Sequence, residues 1–346
     1  MPQKLKLDSE SFGPLSFPVF YGQRLYNAWT GDNVQLVASL LGTWIVVSSL
    51  MKLVLAVRSA LRPSTLQTYC HSQTGSWALV TGASDGLGRG FVDELLERGF
   101  NVLLHGRNHE KLKRITAELA HQYPRRTVDF VVADASRHDH PETAVIEKVK
   151  HLPGRLTILV NNVGGITTKP TFVAIDELSA GDVDIQINLN DRFPTQIIRG
   201  LLPTLRKNQP SVILNCGSAA PLAGVPYIAV LSATKAYIHT LTTALQSELI
   251  ADSLTQEKRS GVEIQGYIVG STRSAQNTTE IPFFMLSARE CARGCLSKVG
   301  SGRALEFPHW KHAMLSLLIN LIPESILRNT MTKEMKARNL EQMKGE

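Results

Sequence analysis

From residue 75 to about residue 274, short apolar runs alternate with amphipathic stretches. Residues 77–80, 102–104, 130–132, 156–160, 211–214 and 262–268 read as strands. Most are apolar at consecutive rather than alternate positions, the pattern of strands buried on both faces. Between them, 86–98, 111–122 and 235–250 read as helices, and in the first of these Phe91, Leu95 and Leu96 share a face. Strands that alternate with helices need crossover connections. The pattern therefore predicts an α/β domain with a Rossmann-like, doubly wound parallel sheet.

A different pattern precedes that domain. From Val34 to Met51 there is no charged residue, and after Lys52 the apolar run resumes to Val57. A bilayer core needs about 20 apolar residues. The run starts too far from Met1 for a simple secretory signal. A buried amphipathic helix is the competing reading, but the run is apolar all round rather than along one stripe. Residues 34–57 are therefore expected to form a membrane-anchor helix, preceded by a poorly structured lead-in over 1–33. Lys52, Arg58 and Arg62 follow closely, whereas Arg24 is the nearest cation before the run. The positive-inside tendency then places the main domain in the cytosol. A second apolar run, 314–322, lies in a tail over 311–346. It is too short to span a bilayer, and either packs on the core or rests on the membrane surface.

Composition narrows the function classes. Of 346 residues 43% are hydrophobic, enough to exclude wholesale disorder. The net charge of +7 is spread along the chain without a basic block. That argues against a nucleic-acid surface and leaves room for anionic lipid or an anionic ligand. Of the four cysteines, Cys291 and Cys295 are closely spaced, but no histidine or further cysteine nearby completes a metal site. Together with Cys70 and Cys216 they read as reduced thiols.

The chemistry is concentrated after the first strand. There the chain reads Thr81-Gly82-Ala83-Ser84-Asp85-Gly86-Leu87-Gly88 and then enters a helix. The glycines allow a tight turn and close backbone approach to a pyrophosphate, and the helix start offers free N–H groups. After the second strand comes Arg107, where an acidic residue would accept the ribose 2′-hydroxyl of NAD. A guanidinium there suits a 2′-phosphate instead, so the expected cofactor is NADP.

The spacing Thr-Gly-x-x-x-Gly-x-Gly, Asn161-Asn162-Val163-Gly164 after the fourth strand, Ser218 and Lys235 together resemble the short-chain dehydrogenase/reductase family over residues 75–275. The resemblance implies a cofactor site formed by Gly82, Ser84, Asp85, Gly86, Leu87, Gly88, Arg107, Asp134, Asn161 and Lys235. Asp134 would contact adenine, and Thr272 or Ser274 the nicotinamide carboxamide. It implies that Asn188 holds a water, Ser218 bonds the substrate oxygen and Lys235 binds the ribose. At the family's tyrosine position, four residues before the lysine, this chain has Leu231. A phenol there donates a proton as negative charge develops on oxygen; leucine has none to give, and losing a general acid costs about 10²–10⁴-fold in rate. Tyr227, near Pro226, falls in the loop rather than on the helix face of Lys235, and Ser232 and Tyr237 are rotated to other faces, so none is well placed to replace it. A water linked to Lys235 and Asn188 is the most economical substitute. The alternative is that Ser218 and Lys235 are structural remnants.

With its anchor and tail, the chain resembles the branch of very-long-chain 3-oxoacyl-CoA reductases and 17β-hydroxysteroid dehydrogenases. That implies a lipid, steroid or polyketide-like substrate, an apolar lid near 275–310, an endoplasmic-reticulum membrane location and a possible homodimer. The leading expectation is an NADP-dependent oxidoreductase. The alternative is a catalytically inactive NADP-binding scaffold, with a lyase or isomerase as a weaker third.

Overall fold

A computed structural model describes residues 32–71, 75–167, 169–222, 224–255, 261–273 and 283–345. The lead-in over 1–31, Ser274 and the first part of the expected lid lie outside the described residues. The chain divides into two compact units, Met1–Arg62 and Pro63–Glu346.

In the first unit, α1 is Asp32–Leu61. Its window Val34–Met51 is the one among the described residues long and apolar enough to cross a bilayer. Leu36, Leu40, Trp44, Val47 and Leu50 are all more than half exposed.

The second unit runs β1 (Ser76–Val80), α2 (Gly86–Glu97), β2 (Asn101–Gly106), α3 (His109–Gln122), β3 (Val128–Val132), α4 (Glu142–Lys150) and β4 (Arg155–Asn161). It continues with α5 (Ala180–Ile187), a π turn (Asn188–Arg192), α6 (Phe193–Lys207), β5 (Ser211–Cys216), α7 (Ala229–Thr255) and β6 (Val262–Tyr267). It closes with α8 (Ala288–Ser297), β7 (Leu305–Glu306), α9 (Trp310–Leu321) and α10 (Glu324–Gly345). The seven strands are parallel, in the order β3-β2-β1-β4-β5-β6-β7. The order reverses between β1 and β4, and the crevice at such a switch point is where doubly wound sheets bind ligands.

Both sheet faces are covered, which is why β1 and β5 are buried at every residue. Phe91, Leu95 and Leu104 belong to the core on one face, and Leu79, Ile197 and Ile213 to the core on the other. Asp85 caps α2 by accepting from Gly86 N, and Asn108 caps α3 by accepting from Lys111 N. The six expected strands are present with slightly different ends. α7 starts at Ala229, ahead of the expected residue 235, so Leu231 and Lys235 share one helix. The run 314–322 falls mostly in α9, which buries His312 and Ser316 and leaves Leu317, Leu318 and Leu321 exposed.

Two contacts position the site from outside. α2 and α8 meet at Glu94, whose side chain is 1% exposed. It accepts from Arg289 Nε (2.8 Å), Arg293 (2.9 Å) and Arg98. Burial pushes this carboxyl up, but the three guanidiniums outweigh it and hold it at about 2. On the other side, α10 reaches a loop more than 160 residues earlier. Asn339 donates to Phe172 O (2.7 Å), and Gln342 Oε1 accepts from Thr171 N (3.1 Å) and Phe172 N (3.0 Å). The next residue, Val173, donates its N–H to Tyr227 O, just before α7 (3.0 Å).

Candidate cofactor and catalytic site

A cleft of about 490 Å³ opens at the carboxyl ends of the strands around the switch point. Gly82, Ser84, Asp85, Gly86 and Leu87 line one wall, and Asn162, Val163 and Gly164 face them. Gly82 and Gly86 have φ of +64° and +50°, a left-handed backbone that glycine adopts without strain. Gly88 lies behind the loop. A Cβ there would come within 2.6 Å of Asn162 Nδ2 and collide with Gly82 O. The loop is held from below. Thr81 Oγ1 donates to Val160 O (3.2 Å) and accepts from Asn162 N (2.9 Å) and Val163 N (3.0 Å), while Asn162 Nδ2 donates to Thr81 O (3.0 Å). The result is a preformed cradle at the start of α2, where N–H groups and the helix dipole favour an anion. A dinucleotide diphosphate fits it.

At the far end of the cleft lie Arg107 and Lys111, with Lys111 Nζ 3.5 Å from Asp85 Oδ2. Asp134 lines the opposite wall and accepts from Ser136 N (3.1 Å) and Oγ (2.8 Å). His105 forms part of the floor, stacked on the Phe193 ring at 4.9 Å with the planes inclined by 22°. Burial lowers its pKa to about 4, so it is neutral at pH 7. Its Nε2 donates to Ala133 O (3.1 Å), since a carbonyl can only accept.

Two expected residues are placed differently from their neighbours. Asn161 does not line the cleft; it is buried beneath it, donating Nδ2 to Asn215 Oδ1 (3.0 Å), and Asn162 lines the wall. Asn188 donates to Ser136 O (3.2 Å), whereas Asn190 is brought beside Lys235. Asn190 accepts from Gly165 N (2.8 Å) and donates to Gly165 O (3.0 Å) and Gln186 O (2.9 Å). A Cβ at Gly164 would lie 2.7 Å from Asn190 Oδ1 and 2.8 Å from Lys235 Nζ, so all three converge. The cause is the π turn, which inserts an extra residue and turns 190 rather than 188 toward Gly165. The doubled Asn in Ile187-Asn188-Leu189-Asn190 was the signal, but it does not say which one points inward.

Lys235 is buried, with Nζ 3.4 Å from Cys216 O. Burial lowers its pKa, opposed by Cys216 and Asp191. Ser218 lies at the end of β5, its Oγ accepting from Ala220 N (3.1 Å) and its N–H aimed at His239 Nε2 (3.4 Å). Burial, then the Lys235 charge, lowers the His239 pKa, consistent with a neutral acceptor. Leu231 sits one turn before Lys235 on α7 and brings no polar hydrogen. Tyr237 points elsewhere, its hydroxyl 3.0 Å from Thr195 Oγ1. Tyr227 lies in the turn before α7 with φ of +62°. Thr272 lines the cleft, and Ser274 is outside the described residues. The four cysteines are free, and no metal cluster occurs among the described residues.

A family profile described as short chain dehydrogenase matches residues 76–278. Hydroxysteroid dehydrogenase-like protein 1 from Gallus gallus is 29% identical, over 83% of this chain and 86% of its own length. A very-long-chain 3-oxoacyl-CoA reductase from Coprinopsis cinerea is 31% identical, over 78% of this chain and 79% of its own. Among solved structures, a 7β-hydroxysteroid dehydrogenase overlays with a TM-score of 0.65 at 18% identity, covering 75% of this chain and 98% of that one. A short-chain dehydrogenase from Sphingobium yanoikuyae, in complex with NADPH, overlays with a TM-score of 0.58 at 22% identity, covering 72% and 96%. At those identities the overlays show the fold.

Proposed function

The chain belongs to the short-chain dehydrogenase family and is an oxidoreductase of the CH–OH/carbonyl class; from that premise we propose that it uses NADP(H) and acts on a hydrophobic, lipid-like substrate. The observation that carries the cofactor reading is the cleft's far end, where Arg107 follows β2 and Lys111 stands beside it. A guanidinium and an ammonium there suit a 2′-phosphate, and the acid that would bind a free ribose hydroxyl is replaced by Arg107. The names of the relatives support a 3-oxoacyl-CoA or steroid ketone as substrate.

When bound, the nicotinamide supplies or accepts hydride. The chain's own groups do the rest. Ser218 Oγ orients the reacting oxygen. Lys235 holds the ribose, and Asn190, fixed by Gly165, holds a water beside Lys235. Thr272 lies where the carboxamide is expected. Leu231 leaves no phenol, so protons reach the oxygen through water. One observation favours a second reading, a dinucleotide-binding scaffold without turnover, and that observation is Leu231 itself.

Purified full-length chain, assayed for NADPH consumption with long-chain 3-oxoacyl-CoA and ketosteroids beside Leu231→Tyr, separates the two. Wild-type turnover supports the enzyme. Tight NADPH binding without oxidation, with turnover only in Leu231→Tyr, supports the scaffold. The exposed apolar surface of α1 supports a membrane anchor, and the cations that follow it, Lys52, Arg58 and Arg62, support a cytosolic main domain, in the endoplasmic-reticulum membrane that the resemblance implies. Protease protection in microsomes tests that placement. An apolar groove of about 510 Å³ between α6 and α7, lined by Ile198, Leu202, Leu241 and Leu245, supports a homodimer, which sedimentation would reveal.

A further inference from the structure

The missing phenol leaves Lys235 without the neighbour that would share its proton. The residue that follows Asn190 in the π turn is Asp191. Its Oδ1 is buried and has no hydrogen-bond partner. An unpartnered buried carboxyl oxygen on a half-buried aspartate is costly. Its backbone carbonyl accepts from Thr195 Oγ1 (2.7 Å), which leaves the side chain as the group unaccounted for. The π turn packs against α7, and the Asp191 and Lys235 charges act on each other across that contact. π turns of this kind collect at functional sites. Among the described residues Lys235 itself makes one long hydrogen bond, to Cys216 O (3.4 Å).

We propose that Asp191 is a positioning residue for Lys235: across the junction of the π turn and α7, its carboxyl keeps the buried ammonium charged and returns the proton that Lys235 releases toward the substrate oxygen. The second half of that statement rests on the oxidoreductase reading above; the first half stands without it. In the reducing direction an N–H bond of Lys235 breaks as the product O–H forms, through the water beside Asn190. With the ammonium discharged, the Asp191 carboxylate takes up a proton from solvent, and that O–H bond breaks as the N–H of Lys235 re-forms. The proton count closes at one per turnover. The titratable groups acting on Lys235 are Asp191 from the π turn, Cys216 from the end of β5 and His239 one turn along α7. Burial pushes Asp191 up to about 7 and Lys235 pulls it back, which puts its titration where a proton reservoir is useful. Burial pushes Cys216 up to about 12, so the thiol stays neutral at pH 7, and His239 is neutral there too; Asp191 is the group of the three that changes charge near pH 7.

The test uses the full-length chain without cofactor. Lys235 is labelled with an amine-reactive reagent across a pH series and quantified by mass spectrometry, because only the neutral amine reacts. Asp191→Asn removes the charge that favours the ammonium. The labelling midpoint then moves to lower pH, and below the wild-type midpoint the rate rises by about an order of magnitude. Asp191→Glu restores the wild-type curve, which a purely structural role would not require. The pH dependence of NADPH affinity, read by fluorescence, moves in the same direction and serves if the reagent reaches Lys235 poorly. Superimposable curves for wild type and Asp191→Asn overturn the proposal. If the curves shift but no carbonyl is ever reduced, the charge coupling stands and the oxidoreductase reading fails.

Discussion

Replacing Gly164 with alanine tests whether the three groups that converge there form the nicotinamide end of the site. The added methyl would lie 2.7 Å from Asn190 Oδ1 and 2.8 Å from Lys235 Nζ, while ordinary contact begins near 3.4 Å. Both contacts must therefore open, by about 0.7 Å at Asn190 and about 0.6 Å at Lys235, the differences between those distances. Asn190 is pinned by bonds to Gly165 N, Gly165 O and Gln186 O, so it yields only together with the backbone it is tied to. Lys235 is held by a long bond to Cys216 O on a flexible stem, so it moves more freely. Overpacking of this kind costs about 1–3 kcal/mol. Losing a charged hydrogen bond to the ribose costs about 1.5–3 kcal/mol, a roughly 10- to 150-fold weaker NADPH affinity. Fluorescence titration measures it, alongside 2′,5′-ADP, which lacks the nicotinamide half and should bind unchanged. A folded Gly164→Ala protein with wild-type NADPH affinity would refute the reasoning.

Other outcomes follow from the same geometry. Arg107→Asp should weaken NADPH by at least about tenfold while sparing NADH, in parallel titrations. Glu94 is held at about 2 in the folded state against 4.5 unfolded, so its contribution is full above pH 4.5 and disappears as pH falls toward 2. The gap sets an upper bound of about 3 kcal/mol, reduced because the guanidiniums are partly exposed. Glu94→Gln should therefore lower the neutral-pH melting temperature and flatten the acid-side fall in stability. Asn339→Ala with Gln342→Ala removes three bonds to residues 171–172, each contributing about 0.5–1.5 kcal/mol. Faster cleavage near that loop in limited proteolysis and a raised KM are expected, with NADPH affinity unchanged.

Much of the fold was legible because parallel strands buried on both faces must be apolar at consecutive positions, and β1, β4 and β5 are. β7 has two residues, too few for any period to register. α5 and α6 escaped because the π turn between them breaks the 3.6-residue rhythm. The phosphate loop was readable from spacing, since glycine adopts the left-handed turns at 82 and 86 without strain. The choice of Asn190 over Asn188 was not, because a two-residue difference in a helix decides which way an amide points. Asp191 carried no sequence signal either; an acid after an asparagine reads as an exposed helix residue until burial is seen.

The grip of α10 on residues 171–172 has a consequence for how the protein is made. Every described residue lining the dinucleotide cleft precedes residue 273, so a nascent chain can complete that cleft while translation continues. The loop beside α7 cannot be fastened until residues 339 and 342 have left the ribosome. Contacts of such sequence separation form late. A chain stalled before α10 would hold coenzyme yet leave that loop unfastened, so coenzyme retention and a fastened 171–172 loop are separate milestones in the life of this polypeptide.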